Sequence, residues 1–283
     1  MAAHSFRSDN NAGLCPEALA ALVDAAAGHH IGYGDDDHSA AAALELRRLF
    51  GDDLAVAFVA TGTAANTLAV AALTEPWQRV LCHSHAHWND DESTAPERLT
   101  HCRTTPITPR ADPTRLAPGD LDRALLGLRG DVHQPAPGVL TLSNPTELGT
   151  LYRPADLRAL VAAARARGFR VHVDGARFAN AVATLVEETG MDACRALTVD
   201  VGVDALSFGG TKDGLAVGEA ILLFGPARDP AIARAAARLP CLRKSTGHLL
   251  SKHRFVTAPF ARVLAGGAWL RHAAHANRMA RAL

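Results

Sequence analysis

Six short, continuously apolar runs, separated by stretches of helical spacing, leave few folds open to this chain. They are AVAFVATG (55–62), RVLCHS (79–84), GVLTLSN (138–144), FRVHVDG (169–175), DALSFGG (204–210) and AILLFG (220–225). A strand with one wet face alternates apolar and polar residues; these do not, so both of their faces are covered. Helical patterns occupy 16–27, 38–50, 64–73, 120–129, 154–168, 179–188 and 230–239, so nearly every strand feeds a helix. The arrangement predicts an α/β fold with a mainly parallel sheet between helices. In such sheets ligand-binding groups follow the carboxyl ends of the strands. The proline-rich stretch RTTPITPRADPTRLAPG (103–119) is expected to cross the surface as a linker. The strand pattern stops at about 228, which divides the chain into a large domain at 1–228 and a helical segment at 229–283.

Composition narrows the class further. Lys plus Arg and Asp plus Glu number 29 each, so no overall field favours nucleic acid or an acidic membrane. Alanine is abundant, as helices packed closely on a sheet require. The five cysteines are scattered and contain no C-x-x-C pair, which predicts reduced thiols and a cytoplasmic setting. No apolar stretch is long enough to span a bilayer, so a soluble protein is expected.

The chemistry collects behind the strands. After the first comes TGTAAN, where Gly62 and Thr63 open a helix and present amides suited to phosphate, or serve as an ordinary cap. After the fourth comes HVDGARF, with Asp174 and Arg177; a lone aspartate there also fits a helix cap. After the fifth comes FGGTKDG, with Lys212 among Gly209, Gly210, Gly214 and Gly218. Glycines permit close approach of backbone to a ligand, and desolvation makes a lysine amine nucleophilic. The spacing is not that of a Walker loop. An anion site, an aspartate and a lysine on one sheet edge together meet the needs of pyridoxal phosphate: phosphate binding, a partner for the ring nitrogen and a covalent anchor.

A run of alternating histidines raises a competing reading. VLCHSHAHWNDDEST (80–94) holds His83, His85 and His87 followed by Asp90, Asp91 and Glu92, and imidazole with carboxylate is good zinc or iron chemistry. The H-x-H-x-D-H pattern of metal-dependent hydrolases fits only in part. It calls for aspartate where this chain has His87 and for histidine where it has Trp88.

The ordered motifs decide between the readings. RSDN (7–10), GYGDDDHSAAAALE (32–45), TGTAAN (61–66), AHWNDDE (86–92), GDVHQP (130–135), PTELGTLY (145–152), HVDGARFANA (172–181), SFGGTKDGLAVGEAILLF (207–224) and RKSTGHLLSKHRF (243–255) occur in order. With them the chain resembles the threonine aldolase family of fold type I pyridoxal-phosphate enzymes, especially its low-specificity and phenylserine-aldolase-like members. The resemblance runs from residue 5 to the C-terminus.

It implies that Lys212 carries the cofactor, Asp174 pairs with the ring nitrogen, and Gly62 and Thr63 hold the phosphate. Arg177 would lie by the ring hydroxyl and the substrate carboxylate, with Ser8 near that carboxylate and His133 near the substrate hydroxyl. In the family's A-H-x-x-x-x-E pattern, His87 stacks on the ring and Glu92 orients it. His85 would line the pocket, His83 would pack locally or face solvent, and no metal is expected. The implied reaction is retro-aldol cleavage of β-hydroxy-α-amino acids to glycine and an aldehyde, with His87 and His133 as candidate bases. A transaldolase or β-elimination lyase would use the same Lys212 and Asp174, and a cofactor-binding form without turnover is a further alternative. The resemblance also implies a homodimer or homotetramer, in which Arg243, Lys244, Lys252 and Arg254 reach a neighbour's cofactor phosphate. Family members usually continue beyond HANRMARAL, so 229–283 is expected to lead into a small C-terminal domain that is truncated here.

Overall fold

The computed structural model describes residues 7–283. Seven strands form one sheet: β1 (Leu54–Val59), β2 (Gln78–His83), β3 (Arg103–Ile107), β4 (Ala136–Ser143), β5 (Arg170–Gly175), β6 (Ala205–Gly209) and β7 (Glu219–Phe224), in the spatial order β1-β7-β6-β5-β4-β2-β3. The helices are α1 (Pro16–Ala25), α2 (Asp37–Phe50), α3 (Gly62–Leu73), α4 (His87–Asp90), α5 (Ala95–Thr100), α6 (Pro118–Ala124), α7 (Pro154–Arg165), α8 (Phe178–Thr189), α9 (Ala193–Ala196), α10 (Pro230–Ser245), α11 (Arg254–Ala265) and α12 (Ala268–Ala282).

Strands β3, β2, β4, β5 and β6 are mutually parallel, while β7 is antiparallel to both β6 and β1. Strand β1 therefore runs the same way as the parallel set. Every strand but β7 ends on one edge of the sheet, and β7 begins there. The register places Ser143 opposite Asp174 and Asp174 opposite Ser207, so consecutive strand ends are level.

Two apolar layers cover the sheet. On one face α3 and α10 bury Ala65, Leu68, Ala69, Ile232, Ala235 and Leu239 against Val59, Ile221 and Leu223. The small residues of α3 let it lie close to the strands, and nearly all of the helix is buried. On the other face α2, α7, α8, α11 and α12 enclose the larger core.

Two sequence expectations are corrected. The stretch 103–119 is not a surface linker throughout, because Arg103–Ile107 adds strand β3 beside β2. Pro106 is tolerated because β3 is the outermost strand, where a missing N–H breaks no ladder on the open side. Nor is residue 228 a packing boundary. Phe260 of α11 and Trp269 of α12 lie 6.4 and 5.7 Å from the ring of Phe208, inside the same core as the sheet. A run of helical spacing after the last strand carries no sign of whether it packs back on the sheet or away from it.

Candidate active site

A cavity of about 360 Å³ opens at the carboxyl edge of the sheet, lined among others by Gly62, Thr63, Asn66, His87, Asp174, Lys212 and Glu219. Each side chain arrives for a local reason. Thr61 Oγ1 accepts the Ala64 N–H at 3.2 Å and caps α3, leaving the amides of Gly62 and Thr63 facing the opening. A Cβ built on Gly62 would meet nothing within 4 Å, so this helix end is open. The field of a helix N-terminus there favours an anion.

Asp174 ends β5. Its Oδ1 accepts the Ala176 N–H at 2.9 Å and its Oδ2 accepts Asn66 Nδ2 at 2.8 Å. The same amide nitrogen also donates to Glu92 Oε1 at 2.8 Å, and His87 Nδ1 lies 2.9 Å from that oxygen. Asn66 therefore joins two carboxylates into one network beneath His87. Burial pushes the Glu92 carboxyl up, and the Glu92 hydrogen bond pushes the His87 imidazole up. The two shifts have related causes: a buried carboxylate is costly unless a donor faces it, and the imidazole is that donor. The His87 backbone is fixed separately, its N–H donating to Glu147 Oε1 at 2.7 Å. Two buried acceptors beside the network, Asn66 Oδ1 and Glu92 Oε2, have no partner among the described residues.

Lys212 sits in a single 3₁₀ turn, Thr211–Asp213, which joins β6 to β7 without an intervening helix. Its ammonium has no hydrogen bond or ion pair with other described residues, and it faces the cavity. Glu219 holds the turn from below, accepting the Gly210 N–H at 2.8 Å and the Thr211 N–H at 3.4 Å. Burial pushes Glu219 up to about 7 and Asp213 up to about 8.

The glycines around the lysine serve the chain rather than a ligand. A Cβ on Gly210 would lie 2.5 Å from Gly218 O and from Phe260, and one on Gly209 would lie 2.3 Å from Ala176 O. They let the turn press against α11 and the start of α8, and the backbone approach predicted for a ligand is an approach to protein.

Not every residue singled out in the sequence reaches the cavity. Arg177 is bound through Nε and Nη2 to both oxygens of Asp9, at 2.6 and 3.0 Å. Ser8 caps the turn Asp9–Asn11, its Oγ accepting the Asn10 N–H at 3.2 Å, while Asn10 itself lines the cavity. His85 is exposed, with Nδ1 3.5 Å from Asp90, and does not line the cavity. His83 is buried, with Nε2 3.0 Å from Pro113 O and Nδ1 accepting the His85 N–H.

His133 also stands apart from this cavity. It is exposed and precedes β4, whose first residue Ala136 pairs with Gln78 at the opposite edge of the sheet. The sequence shows a histidine near a strand but not which end of the strand binds. Conversely, Asn66, Glu147 and Glu219 were not singled out. The signal for Asn66 was its place one helical turn past Gly62; Glu219 is an acid at the head of an otherwise apolar strand.

Comparison with known proteins agrees with this arrangement. The family model described as beta-eliminating lyase matches residues 5–283. Low-specificity L-threonine aldolases from Pseudomonas sp. and Pseudomonas aeruginosa are 43% and 44% identical over 278 residues, which is 98% of this chain and 76% of each relative. The structure of Leishmania major threonine aldolase superposes with a TM-score of 0.84 at 27% identity, covering 99% of this chain and 77% of that one. The fold is that of the fold type I pyridoxal-phosphate enzymes. With its lysine turn, its strand-end aspartate and its open helix terminus on one sheet edge, the chain belongs to the beta-eliminating lyase family.

Proposed function

We propose that this protein is a pyridoxal-phosphate-dependent aldolase that cleaves β-hydroxy-α-amino acids, such as threonine, allo-threonine or phenylserine-like compounds, to glycine and an aldehyde. The observation that carries the reading is the single cavity on which Lys212, Asp174, His87 and the amide end of α3 converge. The donor set fits the cofactor: an unpartnered amine for its aldehyde, a carboxylate for its ring nitrogen, an imidazole for its ring face and an open helix terminus for its phosphate. The identity to low-specificity L-threonine aldolases supports the substrate class.

When bound, the cofactor supplies a sink for the electron pair released as the Cα–Cβ bond breaks. The chain's own residues do the rest. Gly62, Thr63 and the α3 amides anchor the phosphate. Asp174, held by Asn66 and the Ala176 N–H, would offer a fixed carboxylate to the ring nitrogen. Asn10 lines the cavity, and Arg177, bound to Asp9 beside the cavity rather than in its lining, has further N–H groups that would serve a substrate carboxylate reaching that rim. His87 would lie against the ring of a bound cofactor, and its pair with Glu92 would take the β-hydroxyl proton directly or through water. His133 has no part in this within one chain.

The wider setting belongs to the same proposal. The protein works in the cytoplasm, as its unpaired thiols, four of them buried, fit; no helix of the described residues is long and apolar enough to cross a membrane. It is a homodimer or homotetramer. The support is exposed Ile31 and Tyr33, with Lys244 over the Tyr33 ring at 4.9 Å, close to Arg243, whose Nη2 bonds His253 rather than a carboxylate.

The test is to load the protein with pyridoxal phosphate, reduce with borohydride and map the adduct. In parallel, threonine, allo-threonine and phenylserine are assayed for glycine and aldehyde. The expected result is an adduct on Lys212 and aldehyde release. An adduct on another lysine overturns the site, and an adduct on Lys212 without aldehyde from any of the three overturns the reaction. Light scattering that gives a monomer with active cofactor overturns the oligomer.

A further inference from the structure

We propose that Cys15, Glu17 and His272 form a divalent-metal site of the zinc class, linking α1 and α12 beside the turn that carries Lys212. Cys15 precedes α1 and is buried at 9% exposure. Its side chain makes no capping hydrogen bond to the helix it begins. Glu17 follows in the first turn of α1, and His272 projects from α12. The thiol, imidazole and carboxylate donor atoms all lie within 4.8 Å of one another.

The spacing is compatible with an ion between the three donor atoms. Glu17 Oε2 and His272 Nε2 are 3.3 Å apart, long for a charged hydrogen bond. Tetrahedral zinc, with bonds of about 2.0–2.3 Å, holds its ligand atoms roughly 3.3–3.7 Å apart. The set therefore closes on an ion with shifts of about an ångström or less. One soft thiolate, one imidazole and one carboxylate select zinc or cobalt over magnesium or calcium, which prefer oxygen alone. Thiolate and carboxylate together balance a divalent charge, and water completes the fourth position. Arg271 Nη2 sits 3.4 Å from Glu17 Oε1, where it orients the carboxylate without using the oxygen that faces His272.

The location gives such a site a consequence. The Cys15 N–H donates to Gly214 O at 2.9 Å, and its Sγ lies 3.1 Å from where a Cβ on Gly214 would stand. Gly214 closes the Thr211–Asp213 turn. An ion on Cys15 thus braces the lysine turn from outside the cavity. The site stands apart from the reaction and does not depend on the proposed substrate.

The full chain with its cofactor, carrying Cys241→Ser to remove the exposed thiol, is titrated with Co²⁺ and followed by visible absorption and thermal melting. The expected result is tetrahedral cobalt bands that saturate at about one ion per chain, with a rise in melting temperature. Cys15→Ser removes the thiolate-to-metal band, and His272→Ala weakens binding at least about tenfold. The His272 side chain is 40% exposed, so its alanine variant folds and decides the matter even where Cys15→Ser does not fold. Absence of tetrahedral bands in the parent, or bands and affinity unchanged in His272→Ala, overturns the site.

Discussion

Two cavities of about 360 Å³ lie at opposite edges of the same sheet, and only one of them is equipped for chemistry. The carboxyl-edge cavity holds an unpartnered lysine, a hydrogen-bonded His87–Glu92 pair and an open helix start. The amino-edge cavity is lined by Arg79, Arg129 and Arg167 with Leu125, Leu128 and Phe169, and its cations are already engaged. Arg129 pairs with Asp131 and Arg167 with Asp122, and Arg79 Nε donates to Pro135 O. Size does not separate the two; strand polarity does. A helix that follows a parallel strand starts at the carboxyl edge and turns its positive end toward the opening there, while the amino edge receives helix ends of the other sign.

The sharpest way to test the contrast is Lys212→Ala. Turnover of threonine should fall by at least about 10³-fold and the borohydride-stable adduct should vanish; an adduct that survives would break the assignment of the reactive edge. Asp174→Asn keeps the shape but removes the charge, and because an amide nitrogen cannot accept, only one of the Ala176 and Asn66 contacts survives. A loss in kcat of about 10²–10³-fold, with cofactor still bound, is expected from steady-state kinetics. Activity within a few-fold of the parent would mean that the strand-end charge is not used.

The third test reads stability. Glu219 is raised in the folded state to about 7 from an ordinary value of 4.5, mainly by burial. A carboxyl raised on folding stabilises the folded state below its unfolded value, and that contribution is lost as pH rises from 4.5 through about 7. Glu219→Gln lacks this loss. Its stability relative to the parent should therefore climb across that window, by up to roughly 1.4 kcal/mol per pH unit, as chemical denaturation at pH 5 and pH 8 would show. A difference that is flat with pH would show Glu219 ionised throughout.

His87→Ala probes the same edge more gently. Ring stacking contributes about 0.5–1.5 kcal/mol, so cofactor affinity should drop roughly two- to twelve-fold by fluorescence titration, while His83→Ala should leave it alone. The smallest effects belong to the other edge. Arg79→Ala and His133→Ala should each keep kcat/KM within about two-fold in one chain's own site. A large loss from His133→Ala would dissolve the contrast between the edges.

The legible part of the site was the part written in contiguous residues. Gly62 with Thr63, Asp174 and Lys212 each follow an apolar run directly, so strand reading alone places them on one edge. His87 with Glu92 was legible because the interval between them is short. Asn66 lies within TGTAAN, and its place one helical turn past Gly62 points it to the site without revealing its role, which is to join Glu92 and Asp174, 26 and 108 residues away. His133 shows the complementary limit. Distance along the chain to a strand does not say which end of it faces the cofactor.

By itself the sequence determined the alternation of covered strands and helices, the identity of the lysine turn and the family. These depend on hydrophobic pattern and local spacing, which survive in one dimension. The tertiary structure decided that 103–107 is an edge strand, that Phe260 and Trp269 belong to the main core, and that Arg177 is held by Asp9. It also decided that the glycines about Lys212 make room for Phe260 and Ala176. Those outcomes follow from packing and hydrogen bonding between residues far apart in the chain. Such contacts form only when the sheet has brought its strand ends level, and no window of sequence contains both partners.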